Sequence, residues 1–431
     1  MKPRTLSGRQ ARRACLAVWL VTALVTSGAS AALAWQDPVD DLARVRAEVA
    51  TIRDLRFTVD PDPVVLTRPA LRARLVETFR VEAERTNFAT EARAFRTFGL
   101  YPDNLPIAPL LIESSTVSLV GLYLPDTDEL ILVGDDDAQL GGLEEWTYAH
   151  ELVHALQDQQ LGLDQLFNAR RVENDDVALA LGALIEGDAS LVTTIYLESH
   201  PEVLPGLIIG SLGTLPGALR IGGVPPVLAH TGAFTYAAGE RFVERLKEEG
   251  GWEAVNAAYV DPPVSTEQIL HPEKYLERDD PTPVTLPDLA PAFDEAWNLI
   301  HENALGELQI GVLLDDQAVG EFAPVSATAS DATAGWDGDT YQLWVDERGH
   351  EALVWRSVWD TTTDANEFAT AIRDREAERY GTTWEAIGHG SGALNAADVS
   401  LRVKRAGDRV IYILAPEAEI ADALLDRLGG A

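Results

Sequence analysis

Apolar and polar positions along this chain follow two rhythms, and the rhythm changes with position. Residues 38 to 56 carry apolar side chains at helical spacing, and so does a long stretch opened by Arg68-Pro69 and running to about Phe98. FTVDPDPVVL, between them, reads as a short strand with proline stops. From 117 to 133 the period shortens. VSLVGLYLP and ELILVG flank Asp126-Thr127-Asp128, which predicts a β-hairpin. An amphipathic helix follows from about 143 to 161. Asn174, Asp175 and Asp176 then supply a cap and an acidic first turn for a second long helix, 177 to 198. Further helices are predicted from about 236 to 258 and from 293 to 315.

The stretch APVSATASDATAG (323 to 335) is small, polar and turn-prone, and reads as a linker. Beyond it YQLWVD, ALVWRSVWD, SLRVKRA and RVIYILAP alternate as strands, accompanied by helices at 364 to 380 and 416 to 429. Trp336, Trp344, Trp355 and Trp359 fall at strand spacing and read as core. The pattern as a whole predicts an α+β protein. A main domain spans 35 to 322, and a small C-terminal α+β accessory domain spans 336 to 431.

Residues 1 to 34 are different in kind. A basic start ending at Arg12-Arg13, an apolar run and a small-residue close at Ala32-Leu33-Ala34 fit a signal peptide, with Trp35 as the first mature residue. An uncleaved anchor is the alternative, since about 20 residues suffice to span a bilayer. Either way the working part is expected outside the cytoplasm, secreted or in the cell envelope. A propeptide, if one exists, would occupy residues 35 to about 110.

Charge narrows the function classes. Across 431 residues, 69 acids oppose 34 Lys and Arg, for a formal net charge of −35. Such a surface repels phosphate backbones and anionic bilayers, so nucleic acid and peripheral-membrane partners are disfavoured. The four lysines (Lys2, Lys247, Lys274, Lys404) never follow a glycine, which excludes a Walker-type phosphate loop. Cys15 is the sole cysteine, so any metal must be held by His, Asp or Glu. The acidic clusters at 135 to 137 and at Asp337-Gly338-Asp339 lack the spacing of a known calcium loop and read as turns and caps.

One segment carries chemistry. WTYAHELVHALQDQQ contains His150-Glu151-Leu152-Val153-His154. Four residues is one helical turn, so both imidazoles project from one face at the separation a single metal ion needs. Glu151, about 100° around the helix, can reach a water beside that metal without ligating it. Gln157 and Asp158, a turn beyond His154, are candidate hydrogen-bond partners for a ligand histidine.

These residues resemble the H-E-x-x-H helix of the zincin metallopeptidases, and the resemblance covers about 117 to 200. It implies a zincin-like catalytic domain, Zn²⁺ as cofactor, His150 and His154 as ligands and Glu151 as general base. Gln160 stands where a metzincin-type chain has its third histidine. The gluzincin type takes instead a carboxylate from a following helix, and Glu186 lies there in the apolar run Ala183-Leu184-Ile185. A carboxylate in such a run is expensive unless paired or metal-bound. The resemblance therefore assigns Glu186 as third ligand, with Asp188, Glu173 and Asp176 as other acids nearby. Two departures stand out: the gap from His154 to Glu186 is long, and Ser190 replaces the family's supporting aspartate.

The implied activity is hydrolysis of peptide or protein substrates by a metal-activated water, with His271, Tyr236 or His230 as candidate donors to the oxyanion. Two alternatives differ in class: a zinc-bearing binding module without catalysis, and a hydrolase of a non-protein amide.

Overall fold

A computed structural model describes residues 38–85, 88–134, 141–163, 165–166, 174–209, 224–293, 296–315, 325–388 and 390–429. The expected signal peptide, Glu173 and the acidic cluster at 135 to 137 lie outside these residues.

The described chain begins with helix α1 (Pro38–Arg53), strand β1 (Val64–Leu66) and helices α2 (Arg68–Arg85), α3 (Phe88–Phe98) and α4 (Ile107–Ser118). The predicted hairpin forms as β2 (Gly121–Leu124) and β3 (Glu129–Val133), with Leu124 opposite Glu129. β1 adds in parallel to β3, giving the order β1-β3-β2. Helix α5 (Gly142–Leu161) packs on this sheet. It opens with the Glu144 carboxylate accepting the Gly141 N–H at 3.0 Å and closes on Gly162 at φ 71°. Helix α6 (Asp175–Ser199) is capped as the sequence predicts, Asn174 Oδ1 accepting the Val177 N–H at 2.8 Å. It is long and apolar enough to cross a membrane, yet most of it is buried against α1, α5 and α7 (Pro226–Val260), so here it is a core helix. The two short helices α8 (Thr266–Leu270) and α9 (Pro272–Glu277) complete this half.

The second half is a seven-stranded antiparallel sheet. Its strands are β4 (Asn298–Asn303), β5 (Trp336–Val345), β6 (Glu351–Trp359), β7 (Glu385–Gly388), β8 (Ser391–Ala396), β9 (Val399–Ala406) and β10 (Arg409–Ala415), in the order β4-β5-β6-β10-β9-β8-β7. Side chains alternate across it as the period of two demands. Tyr341, Leu343, Leu353, Trp355 and Tyr412 face a core shared with Phe98 of α3 and with helix α12 (Thr362–Tyr380). Trp344, Ala352, Val354, Ile411 and Ile413 face helix α13 (Ala418–Gly429). Trp336, Trp344, Trp355 and Trp359 are all buried, as their spacing predicts. Each large apolar side chain so buried contributes roughly 1.5–3 kcal/mol.

The secondary structure between the halves differs from the expectation. The helix predicted over 293 to 315 is strand β4 followed by helix α10 (Gly306–Leu314). Asn298–Asn303 is polar and partly exposed, which suits an edge strand, and it pairs with β5. The expected linker, 323 to 335, contains helix α11 (Ala327–Thr333), with Ser326 Oγ accepting the Ala329 N–H. The two halves also share one core. Phe98 meets Tyr341 and Trp355 edge-on at 5.1 and 5.4 Å.

Candidate metal centre

Helix α5 brings His150 and His154 one turn apart, with ring centroids 4.8 Å apart and planes at 84°. Glu186 comes from α6, its Oε2 3.1 Å from His150 Nε2 and 3.7 Å from His154 Nε2. The ligand atoms of the three residues lie within 4.8 Å of one another, and all three side chains are buried. This buried group could hold a metal ion.

Close backbone contacts surround this group. α6 and α7 cross at Gly187 and Gly239, where a Cβ on Gly187 would lie 2.1 Å from the Gly239 carbonyl carbon. Only two glycines allow that approach. On the opposite side β2 lies against α5. A Cβ on Gly121 would sit 2.6 Å from Thr147 Cγ2 and 3.1 Å from Glu151 Cγ. The Glu151 carboxylate accepts the Tyr123 backbone N–H, and Tyr123 O–H donates to Asp158 at 3.1 Å.

The electrostatics are those of buried, opposed charges. Burial works to raise the Glu186 pKa, but the charges of His154 and His150 and the hydrogen bond from His150 outweigh it and hold the carboxyl at about 2. Burial pushes His154 down, and Glu186 beside it reverses that, so its pKa is raised. Glu151 is raised by burial, with the imidazoles acting against it.

The surrounding residues form a polar chain behind His154. Its Nδ1 is 2.8 Å from Gln157 Oε1. Gln157 Nε2 donates to the Ile185 carbonyl at 3.0 Å and to Asp188 Oδ2 at 3.2 Å. Asp188 also accepts from Arg53 Nε at 2.7 Å and Tyr259 O–H at 2.8 Å. His150 is flanked by Trp146 and Tyr236, with ring centroids at 5.8 and 5.9 Å.

The sequence candidates therefore separate. His150, Glu151, His154, Glu186 and Gln157 come together, and Tyr236 joins them. Asp188 is occupied by three donors, and Asp158 by Tyr123. Asp176 accepts the Thr266 N–H and O–H at 3.0 and 2.5 Å, which ties the start of α6 to α8. His271 pairs with Glu307 at 3.1 Å, and buried His230 has Asp315 as its charged neighbour. Asp337 bonds Thr282 and Asp339 accepts the Leu305 and Gly306 N–H groups, as turn and cap roles predict. Arg53 and Tyr259 escaped sequence reasoning, because they stand 135 and 71 residues from Asp188 and carry no local motif. A cavity of about 300 Å³ lined by Leu100, Val227, Val312, Arg375 and Arg379 shares no residue with this centre.

Comparison with known proteins touches the other half. Residues 298–425 match a domain of unknown function, DUF8575, a span that excludes His150, His154 and Glu186. No curated protein matches the chain. A crystal structure of a candidate hydrolase with a novel fold from Chloroflexus aurantiacus is similar over 63% of this chain and 96% of that one, at 15% identity and a TM-score of 0.31.

Proposed function

We propose that this chain is an exported zinc-dependent peptidase of gluzincin type, in which His150, His154 and Glu186 hold the metal and Glu151 is the general base. The observation that carries the reading is the convergence of two imidazoles and one carboxylate from two helices, with Glu151 between the histidines on the same helix. Two nitrogens and one oxygen, all buried and with no thiolate, suit zinc better than calcium or magnesium, which favour all-oxygen shells. Zinc, when bound, polarises a carbonyl and lowers the pKa of water toward neutrality. The chain's own residues supply the rest. Glu151 accepts the proton of the attacking water at its carboxylate and returns it to the leaving amine. The Tyr123 N–H holds that carboxylate in place. Tyr236, half-buried beside His150, is the best placed of the three candidate donors to a developing oxyanion. The basic and apolar start of the chain supports export.

The test is cleavage of a diverse peptide library, read by mass spectrometry, with wild type and Glu151→Gln run side by side. Cuts that vanish in a variant still holding about one zinc per chain support the reading. Equal cleavage by both removes Glu151 as the base. Silence from folded, zinc-loaded wild type turns the reading toward a non-peptide amide or a binding module.

A further inference from the structure

We infer that helix α1 is a working part of the metal centre, and that Arg53 at its C-terminal end fixes the proton on His154 through Asp188 and Gln157. The inference rests on the metal reading above and extends it to a helix that carries none of the expected ligands.

The Gln157 amide decides the direction. One end has two neighbours that can only accept, the Ile185 carbonyl at 3.0 Å and Asp188 Oδ2 at 3.2 Å. The NH₂ group must face them, which leaves Oε1 toward His154 Nδ1 at 2.8 Å. An amide oxygen donates nothing, so the nitrogen facing it, Nδ1, carries a proton, and Nε2, on the Glu186 side, is the nitrogen left to face a metal. Turning the amide over would set its oxygen against two acceptors.

Asp188, fully buried, is the acceptor beyond this amide, its Oδ2 facing both Gln157 Nε2 and the Tyr259 O–H. Arg53, equally buried, supplies the opposing charge at 2.7 Å. Its guanidinium is held by Asn256 Oδ1 at 2.7 Å and lies 4.5 Å from the Trp252 ring centre. Trp252, Asn256 and Tyr259 all follow the break in α7 at Gly250 and Gly251. A second anchor docks α1 without reaching Gln157. Arg44 bonds Glu145 at 2.9 Å and Tyr196 at 3.1 Å, and His200 pairs with Glu48 at 2.9 Å.

A buried ion pair is poor value as a fold stabiliser, because desolvation offsets most of its attraction. Its place directly behind the residue that orients a ligand gives it a function. It follows that α1 cannot be discarded as a propeptide while the centre stays assembled.

Zinc affinity of the full chain, measured by competition with a chelator, tests this. Gln157→Met is expected to weaken zinc about 10–100-fold, and Arg53→Met, one step further out, about 10-fold. Arg53→Lys, which keeps a cation for Asp188, recovers most of that loss. Arg53→Met combined with Gln157→Met binds no more weakly than Gln157→Met alone, since both act along one path. Arg44→Met lowers the melting temperature and keeps the wild-type affinity, which separates docking of α1 from its action on the ligand. If Arg53→Met fails to fold, Arg53→Met with Asp188→Leu removes both charges and the acceptor for Gln157, and carries the same expectation. Wild-type affinity in the folded Arg53 variant, or an equal loss in Arg44→Met, overturns the inference. The metal reading fails separately, through zinc retained in full when both His150 and His154 are alanine.

Discussion

Gly187→Ala sets two effects of opposite sign against each other. In the middle of a helix, alanine in place of glycine stabilises by about 0.5–1 kcal/mol, through the unfolded chain's lost freedom. At this position the new Cβ would lie 2.1 Å from the Gly239 carbonyl carbon, 2.2 Å from its oxygen and 2.7 Å from the Glu240 nitrogen. These are backbone atoms, which cannot rotate aside. Carbon atoms settle at roughly 3.5 Å, so α6 and α7 would have to part by about 1 Å. Overpacking of a tight core costs about 1–3 kcal/mol, and an immovable backbone belongs at the upper end. The crossing term wins, and the net effect is a loss of about 1–2 kcal/mol and of a few degrees in melting temperature. Glu186 is the adjacent residue, so the shift also changes its distance to the α5 imidazoles, and zinc binding should weaken. Calorimetry with chelator competition reads both effects, and Ser190→Ala on the same helix serves as control. A Gly187→Ala protein with a raised melting temperature and wild-type zinc affinity would refute the backbone crossing.

Three further outcomes follow from single contacts. Glu186→Ala should lower zinc affinity far more than Asp188→Ala; the reverse order would make Asp188 the ligand. Burial lifts the Asp176 carboxyl from an ordinary 3.8 to about 8, so the native state binds the extra proton between those values. That stability is complete below about pH 4 and is lost as pH rises through about 8, at up to about 1.4 kcal/mol per unit. Asp176→Asn should flatten this fall in denaturant titrations, and an unchanged slope relative to wild type would refute the shift. Asp339 accepts from Leu305 N, Gly306 N, Trp336 Nε1 and Trp355 Nε1 at 2.9–3.1 Å. Asp339→Ala strands four buried donors at roughly 1–3 kcal/mol each, so the denaturant midpoint should drop steeply. A loss under about 1 kcal/mol would mean that water reaches them.

What the sequence made legible was what local periodicity encodes. The helical turn between His150 and His154 is a matter of spacing, and it reappears as two rings 4.8 Å apart. Glu186 was legible as an acid in an apolar run, because burying it without a partner is costly. The β2–β3 hairpin and the strands of the second half were legible from their period of two. Contacts between distant segments were not. Nothing local marks Arg53, which meets Asp188 across 135 residues of sequence. The strand Asn298–Asn303 forms because β5 offers a free edge, and its own composition is too polar to announce it. The helix within 323 to 335 was hidden by small polar residues that also suit a turn. Ser326 caps it, and tertiary packing decides the outcome.

The candidate metal centre and the matched domain of unknown function fall on opposite halves of the chain, yet the halves are not independent. Helix α6 carries Glu186, and its first turn carries Asp176, which accepts both donors of Thr266. Thr266 Oγ1 in turn accepts the Leu308 N–H of α10 at 3.2 Å, and the start of α10 is held by Asp339 of β5. A continuous polar chain thus runs from the seven-stranded sheet to the helix that carries Glu186. The aromatic contacts of Phe98 with Tyr341 and Trp355 join the same halves by a second route. On this physical ground the sheet buttresses the axial position of α6, and with it the distance from Glu186 to the two imidazoles. A substitution far from the site, such as Asp339→Ala, should for that reason weaken zinc binding as well as folding. A change confined to α13, on the sheet's other face, should affect folding alone.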